Sequence, residues 1–329
     1  MGSGLLLAVF HDSSRTHSDR SLAPERHRSM LTARRLLTLT ATGARALSTV
    51  TKLSTNNCFG GQWRRFQFDS STTGTPMVFS VFVPPVQKAP CLFYLSGLTC
   101  TDENFVQKAG AARRAAELGI ALVAPDTSPR LPEDRKLPGE DDAYDFGSGA
   151  GFYVDATNYP WSQYYNMYSF VTQELPEAVM VTCPEVDVQT RSITGHSMGG
   201  HGALTIALKQ PAIWRSVSAF SPICNPTKVP WGQKAFEGYL GSVDAGLEHD
   251  ACELVKKVPR PDAILVSQGA DDDFLVGDTN QLQPEAFRSA CDSVGQELDL
   301  RYEAGYDHSY FFIQSFIDDH IDFHASRLK

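Results

Sequence analysis

The pentapeptide Gly195-His196-Ser197-Met198-Gly199 constrains the fold of this chain more than any other feature. It has the G-x-S-x-G form, in which a serine occupies a sharp strand-to-helix turn that exposes its hydroxyl group. A strand-like run around Ile193 precedes the turn, and residues 198–210 are predicted to form a helix that ends before Pro211. The flanking glycines tolerate the turn and leave space for an acyl group. The sequence therefore predicts that Ser197 is a nucleophile.

A reactive serine also requires a base that accepts its proton and a third group that orients the base. Downstream of Ser197, the apolar run 263–266 predicts a buried strand, which leads into the acidic triplet Asp271-Asp272-Asp273. A second predicted strand, 298–302, leads to His308. The order serine, acid, histidine indicates His308 as the base. The residues alone leave open which aspartate orients it, and a solvated loop is the alternative interpretation of the triplet.

The chain has nine histidines, and the others are weaker candidates for the base. His320 and His324 follow the acidic triplet and lie one helical turn apart on a predicted C-terminal helix. That spacing would suit a pair of metal ligands, but the glutamate of an H-E-x-x-H motif is missing between them. We therefore predict no metal site.

Longer sequence blocks extend beyond the serine motif, and together they cover much of the chain. They are residues 57–61, 95–101, 124–130, 145–147, 149–157, 195–204, 221–226 and 305–310. These blocks resemble the S-formylglutathione hydrolase family, also called esterase D. The resemblance spans roughly residues 55–329 and is far more specific than the pentapeptide alone.

The resemblance implies an α/β-hydrolase fold, with a mostly parallel central sheet flanked by helices on both faces. It implies Ser197 as nucleophile, His308 as base and Asp272 as the orienting acid, because the family's acid is the second of two adjacent aspartates after Gln-Gly-x. Two backbone N–H groups are needed to bind the oxyanion. One is predicted at Met198, directly after the nucleophile, and the other at Leu98.

The reaction implied by the resemblance is hydrolysis of S-formylglutathione to formate and glutathione, without a cofactor. A formyl group is small, so bulky residues are expected to close the acyl pocket, with Phe152 and Trp161 as candidates. Cys100 is expected near the mouth of the site, where a regulatory thiol or an inert, half-buried one are the two interpretations. A general carboxylesterase or acyltransferase, and a catalytically silent binding module, are the alternative functions.

Composition limits the partners of the chain. A formal net charge of −9 argues against binding to nucleic acid. Seven cysteines without a C-x-x-C pair argue against a disulfide framework and favour a reducing compartment. No apolar run approaches the length of a membrane span. We predict a small-molecule substrate and no membrane partner, and the sequence leaves a homodimer open.

Periodicity predicts the remaining elements of the domain. Residues 63–68 and 77–83 are predicted as edge strands, residues 91–95 and 120–124 as buried strands, and residues 104–118 as one helix between the latter pair. Residues 165–181 are predicted to form a helix with a kink at Pro176. The region 127–161, rich in Gly, Pro and Asp, is predicted to be a functional loop that overhangs the site.

Residues 1–54 do not share this pattern. They are rich in arginine, serine and threonine and poor in acidic residues, which is typical of an organellar transit peptide. A disordered tail and a misassigned start codon are the alternatives. We predict one catalytic domain over residues 55–329, cytoplasmic by resemblance, or mitochondrial if the N-terminal extension is a targeting segment.

Overall fold

The structure, a computed structural model, describes residues 49–277 and 280–329. Within these residues nine strands form one sheet. The strands are β1 Thr51–Cys58, β2 Gly61–Asp69, β3 Pro76–Val83, β4 Ala89–Leu95, β5 Ala121–Pro125, β6 Val186–Gly195, β7 Trp214–Phe220, β8 Ile264–Gly269 and β9 Leu298–Glu303. Their order across the sheet is β1-β2-β3-β5-β4-β6-β7-β8-β9.

Helices connect the strands. They are α1 Asp102–Lys108, α2 Ala112–Leu118, α3 Met167–Ser169, α4 Leu175–Thr182, α5 Met198–Lys209, α6 Pro230–Leu240, α7 Ala251–Lys257, α8 Asp273–Val276, α9 Pro284–Val294 and α10 Tyr310–Leu328. Short 3-10 helices occur at Glu133–Arg135, Trp161–Gln163, Pro226–Lys228 and Asp244–His249.

The sheet is antiparallel at one side and parallel elsewhere. Strands β1, β2 and β3 pair antiparallel, as do β3 and β5, whereas β5, β4, β6, β7, β8 and β9 pair in parallel. In β4, Phe93 and Leu95 belong to one hydrophobic cluster, and Leu92 and Tyr94 belong to the other. Alternate residues of a strand face opposite sides, so both faces of the sheet are covered. The predicted α/β-hydrolase fold is confirmed.

The true edge of the antiparallel side differs from the predicted one. Strands β2 and β3, which we predicted as edge strands, are interior to β1. Strand β1 begins at Thr51, before the predicted domain boundary at residue 55, and most of its residues are exposed. Its polar sequence lacks the alternation of a half-buried strand, which is why periodicity did not reveal it. Residues 1–48, most of the predicted extension, lie outside the described residues.

The single helix predicted over residues 104–118 is wrong, because the segment forms two helices. Helix α1 ends at Lys108, and α2 begins at Ala112. Between them Gly110 has a φ of 69°, in the left-handed region that ends right-handed helices and favours glycine. The glycine therefore separates two short helices that together cover the predicted span.

The segment predicted as a kinked helix over residues 165–181 contains a wider turn before its proline. After α3, residues Phe170–Glu174 form a π-helical turn, and the N–H group of Leu175 donates to the carbonyl of Phe170. Helix α4 then begins with Pro176 as its second residue. A proline ring clashes with the carbonyl four residues earlier, and the wider turn relieves that clash. The irregularity falls immediately before the predicted position.

Among the described residues, no helix combines the length and the apolar content needed to cross a bilayer.

Candidate active site

The predicted nucleophile lies between the end of β6 and the start of α5. Ser197 has φ 58° and ψ −120°, a strained conformation for a residue with a side chain. Its N–H group donates to the carbonyl of Phe220 at 3.0 Å. A Cβ atom on Gly195 would collide with the carbonyl of Gly199, and one on Gly199 would collide with that of Leu95. Both glycines of the motif are thus required by close backbone packing.

The predicted base and acid are in direct contact. His308 Nδ1 and Asp272 Oδ2 are 2.5 Å apart, and the side chain of Asp272 is fully buried. Asp272 also caps α8, where its Oδ1 accepts the N–H group of Phe274 at 2.9 Å. Its neighbours Asp271 and Asp273 are exposed. The structure brings Asp272, the middle residue of the triplet, to the imidazole.

His196 links the nucleophile to the base. His196 is 5% exposed, and the centroid of its ring lies 4.4 Å from that of the His308 ring. Burial and the neighbouring His308 hold the pKa of His196 well below its ordinary value, so the ring stays neutral beside the base. We did not select His196 from the sequence as a functional residue. The one signal for it was its position next to Ser197 in the pentapeptide.

Ser197 follows β6 and His308 follows β9, so both lie at the carboxyl ends of parallel strands. Their side chains do not form a hydrogen bond with each other. Among the described residues, the Ser197 hydroxyl group has no hydrogen-bond partner. Catalytic hydrogen bonds are often long without substrate and tighten when it binds. Only 3% of the surface of Ser197 is exposed.

The loop after β4 lies directly against the nucleophile. A Cβ atom on Gly97 would approach the Cβ of Ser197 to 3.1 Å. Thr99 and Cys100 donate their N–H groups to the carbonyls of Gly149 and Gly97, at 2.9 and 3.3 Å. In the part of the chain that the structure describes, the N–H group of Leu98 has no acceptor. It therefore remains available as a donor beside the nucleophile.

Met198 provides the second predicted donor at the first position of α5. The first N–H groups of a helix have no partner inside the helix. Ser197 and Gly199, on either side of Met198, donate to the carbonyls of Phe220 and His196. Over residues 49–277 and 280–329, the Met198 N–H group has no such acceptor. Both predicted donors are thus free to bind an anionic oxygen.

Phe274, Trp231 and Tyr144 form an aromatic wall beside the base, which we did not predict from the sequence. The Phe274 ring lies 4.8 Å from the His308 ring, and the Trp231 ring lies 4.7 Å from Phe274. The indole N–H group of Trp231 donates to the hydroxyl of Tyr144 at 3.2 Å. Phe274 was detectable as the residue that follows the acidic triplet. Trp231 and Tyr144 come from distant segments, so only the tertiary structure brings them here.

The two predicted pocket residues lie in the core. Phe152 is fully buried, and its carbonyl accepts a hydrogen bond from His201 Nε2 at 3.0 Å. The Trp161 ring packs edge-to-face against the rings of Phe146 and Tyr165, with centroids 4.6 and 4.9 Å apart. These contacts give both residues a packing role within the 127–161 loop. Their predicted contact with the acyl group stays a prediction.

The 127–161 loop contacts the loop that carries Leu98. Besides the bond from Thr99 to Gly149, the hydroxyl of Tyr153 donates to the carbonyl of Ser96 at 2.8 Å. The loop is therefore positioned to support the predicted oxyanion site. The prediction that it overhangs the site stays a prediction.

Cys100 is half-buried in the same loop. Its carbonyl accepts hydrogen bonds from Thr127 Oγ1 at 2.5 Å and from Arg130 Nη2 at 3.0 Å. Burial raises the pKa of the Cys100 thiol, which lowers the fraction of reactive thiolate at neutral pH. The surroundings of the thiol therefore favour the inert interpretation over the regulatory one.

Known proteins resemble this chain over most of its length. A family model described as "Putative esterase" matches residues 70–323. The S-formylglutathione hydrolases of Rattus norvegicus and Bos taurus are each 49% identical to the chain over 283 residues. Each match covers 84% of this chain and 98% of the relative.

Solved structures extend the comparison. An S-formylglutathione hydrolase from Agrobacterium tumefaciens is 43% identical, with a TM-score of 0.79, covering 84% of this chain and 99% of that one. A fluorophosphonate-binding serine hydrolase from Staphylococcus aureus is 20% identical, with a TM-score of 0.62, covering 80% of this chain and 98% of that one. The second likeness concerns the fold alone.

Proposed function

Since the chain belongs to the S-formylglutathione hydrolase family, we propose that it hydrolyses S-formylglutathione to formate and glutathione through Ser197, His308 and Asp272. The observation that carries the catalytic assignment is the contact of 2.5 Å between His308 Nδ1 and the buried Asp272 carboxylate. A histidine oriented in this way can act as a base toward a serine on the same sheet edge.

Acylation begins when the Ser197 hydroxyl attacks the thioester carbonyl while His308 accepts its proton. Asp272 stabilises the imidazolium that forms. The N–H groups of Leu98 and Met198 bind the oxyanion, and each such donor contributes about 3 kcal/mol to transition-state stabilisation. The carbon–sulfur bond then breaks, and the proton held by His308 passes to the departing glutathione sulfur, which leaves His308 neutral for the next step. A thiol with a pKa near 8.5 leaves readily as a thiolate, so this step demands less proton donation than amide cleavage.

Deacylation transfers the formyl group from Ser197 to water. His308 removes a proton from the water molecule, a second tetrahedral intermediate forms, and formate is released as the proton returns to the serine oxygen. The small exposed fraction of Ser197 supports a small acyl group. The neutral His196 ring beside the base supports the step as well, because a cation there would oppose formation of the imidazolium.

The experiment that tests this function follows loss of S-formylglutathione with the purified wild-type chain and with Ser197→Ala. We expect the variant to lose activity by a factor on the order of 10⁶ while its thermal unfolding is unchanged. Equal rates for the two proteins would refute Ser197 as the nucleophile. A simple acetyl ester serves as the second substrate. A higher kcat/KM for the ester than for the thioester would favour a general carboxylesterase.

For the location of the protein, we propose the cytoplasm. The seven cysteines are all free thiols, which supports a reducing compartment. Imaging the full-length chain beside one truncated before Thr51 tests the alternative of a mitochondrial targeting segment.

For assembly we propose a homodimer. Sedimentation at micromolar protein concentration would reject it if a single species of the 36.1 kDa monomer were found.

A further inference from the structure

Gln268 is a buried amide beside the catalytic acid, and the mechanism above does not use it. It is the second-last residue of β8 and is fully buried. Its Nε2 atom lies 3.3 Å from Asp272 Oδ2, 3.1 Å from Ser221 Oγ and 3.0 Å from the carbonyl oxygen of Gly269. An amide nitrogen has two hydrogens, and here it has a carboxylate, a hydroxyl and a carbonyl as acceptors.

The carboxylate of Asp272 depends on few donors. Its Oδ1 atom accepts the N–H group of Phe274, and its Oδ2 atom accepts from His308 and from Gln268. Because Asp272 is fully buried, water does not replace a lost partner easily. Hydrogen bonds to a buried charged group are among the stronger ones in proteins. Gln268 therefore restrains the same oxygen that orients the base.

The contact between Gln268 and Ser221 connects the amide to the strand end beside the nucleophile. Ser221 follows β7 and has a φ of 39°, a left-handed conformation that its own N–H bond to the carbonyl of Ser267, at 2.8 Å, helps to hold. The preceding residue, Phe220, provides the carbonyl that accepts the Ser197 N–H group. The amide of Gln268 thus spans from the strand end that anchors the nucleophile to the acid that orients the base.

We propose that Gln268 is a positioning residue that couples the place of Asp272 to the turn that carries Ser197. This inference rests on the proposed function of the triad. The geometry has two consequences. Without the amide, the Asp272 carboxylate can rotate about its remaining Phe274 anchor, so a smaller fraction of molecules holds His308 in the reactive orientation. In addition, Oδ2 loses a competing donor, so its negative charge acts more strongly on the imidazole.

The primary test replaces Gln268 by methionine, which has a similar length and no N–H donor. We expect kcat for S-formylglutathione to fall about ten- to 100-fold, the range for loss of a hydrogen bond to a charged group, with KM changed less than about twofold. We also expect the acid limb of the pH–rate profile to move to higher pH. The reason is that an Asp272 carboxylate without the Gln268 donor stabilises the imidazolium form of His308 more strongly, and the imidazolium cannot accept a proton.

Gln296→Met is the matched control. Gln296 is also a buried glutamine, with its side chain bonded to the N–H group of Arg260 at 2.6 Å and to the carbonyls of Asp262 and Glu297, at 3.0 Å each. The Gln296→Met variant should lose as much thermal stability as Gln268→Met and keep the wild-type pH–rate profile. Equal loss of kcat in the two variants, with an unmoved acid limb in both, would overturn the proposal and leave Gln268 a structural residue.

A second readout separates this inference from the identity of the substrate. The rate at which a fluorophosphonate labels Ser197 depends on the triad and not on glutathione. Gln268→Met should slow labelling by a factor similar to the fall in kcat, even if S-formylglutathione proves not to be the substrate. Wild-type labelling and turnover in a folded Gln268→Met protein would reject the proposal. If that variant does not fold, Gln268→Asn, whose shorter amide cannot reach Asp272, is measured in the same way.

Discussion

Among residues 49–277 and 280–329, two clusters combine serines and histidines, and they differ in the groups that surround the histidines. We name the proposed nucleophile, base and acid, Ser197, His308 and Asp272, the catalytic cluster. The helix cluster lies between α10 and the sheet and consists of Ser216, Ser218, Ser267, His320 and His324. In the helix cluster His320 contacts the hydroxyls of Ser218 and Ser267, at 2.8 and 3.0 Å, and His324 contacts those of Ser216 and Ser218, at 2.7 and 2.8 Å.

The two clusters differ in what surrounds the same chemical groups. In the helix cluster both ring nitrogens of each histidine have hydroxyl partners, and both rings are fully buried. In the catalytic cluster a carboxylate takes one nitrogen of His308, and the side chain of His308 is 17% exposed. A histidine acts as a base when one nitrogen is oriented and the other can meet a substrate. The spacing of His320 and His324, which could indicate metal ligands, is explained by hydrogen bonding to serines.

The largest effect is expected when the catalytic cluster loses its carboxylate. Asp272→Asn keeps the shape of the acid but presents a neutral amide to His308, so we expect kcat to fall about 10⁴-fold. Asp271→Asn and Asp273→Asn, at exposed positions of the same triplet, should retain kcat within about twofold. Steady-state kinetics on the three variants provides the measurement. A comparable loss in either control would move the acid to another aspartate.

A second prediction concerns how tightly the catalytic cluster is enclosed. A Cβ atom on Gly97 would lie 3.1 Å from the Cβ of Ser197 and 3.3 Å from the carbonyl oxygen of His196. Gly97→Ala should therefore displace the Leu98 loop from the nucleophile and lower kcat by up to about 10²-fold, as small displacements of reacting groups do. Thermal unfolding should change little. Wild-type kcat in this variant would show that the loop is not part of the site.

In the helix cluster the expected effect falls on stability and not on catalysis. Ser218→Ala removes the partner of His320 Nδ1, His324 Nε2 and Thr194 Oγ1, and all three lie in the buried core. We expect the free energy of unfolding in urea to fall by about 2 kcal/mol, while kcat per folded molecule is unchanged. Ser326→Ala, at an exposed hydroxyl of α10, is the control without effect. A large loss of kcat would mean that the clusters are coupled.

The smallest expected effect is the pH dependence of stability. Burial, and then nearby positive charge, lowers the pKa of His324 to about 3 and that of His320 well below its ordinary value. Since these pKa values are depressed in the folded chain, the stability they contribute is present above pH 6.5 and is lost as pH falls. Between pH 7 and pH 6 the loss should be about 0.7 kcal/mol for each histidine.

Urea unfolding at the two pH values measures this loss, and His324→Gln should reduce it. Arg301 faces His320, and Arg327 and Arg260 face His324, so further positive charge opposes protonation from several elements. An unchanged pH dependence in His324→Gln would show that the helix cluster does not determine the acid sensitivity of the fold.

The sequence predicted the parts of this protein that depend on local pattern. The turn at Ser197 follows from glycines that neighbouring backbone requires, and the helix after it, α5, begins at the predicted Met198. Buried parallel strands were visible as apolar runs because both of their faces are covered. Strand β1 was missed because its exposed polar residues carry no periodicity, and the break at Gly110 was missed because one glycine does not by itself end a helix.

The order of serine, acid and histidine along the chain was determined by the sequence, and so was the choice of His308, the first histidine after the acidic triplet. The residues alone left open which aspartate reaches that histidine, the family resemblance implied Asp272, and the fold buries Asp272 while both of its neighbours are exposed. The neutral His196 ring, the aromatic wall and the hydrogen bonds from Gln268 to Asp272 and Ser221 became visible only in the tertiary structure. Each depends on contacts between segments far apart in the chain, and contacts of that kind leave no pattern in the local sequence.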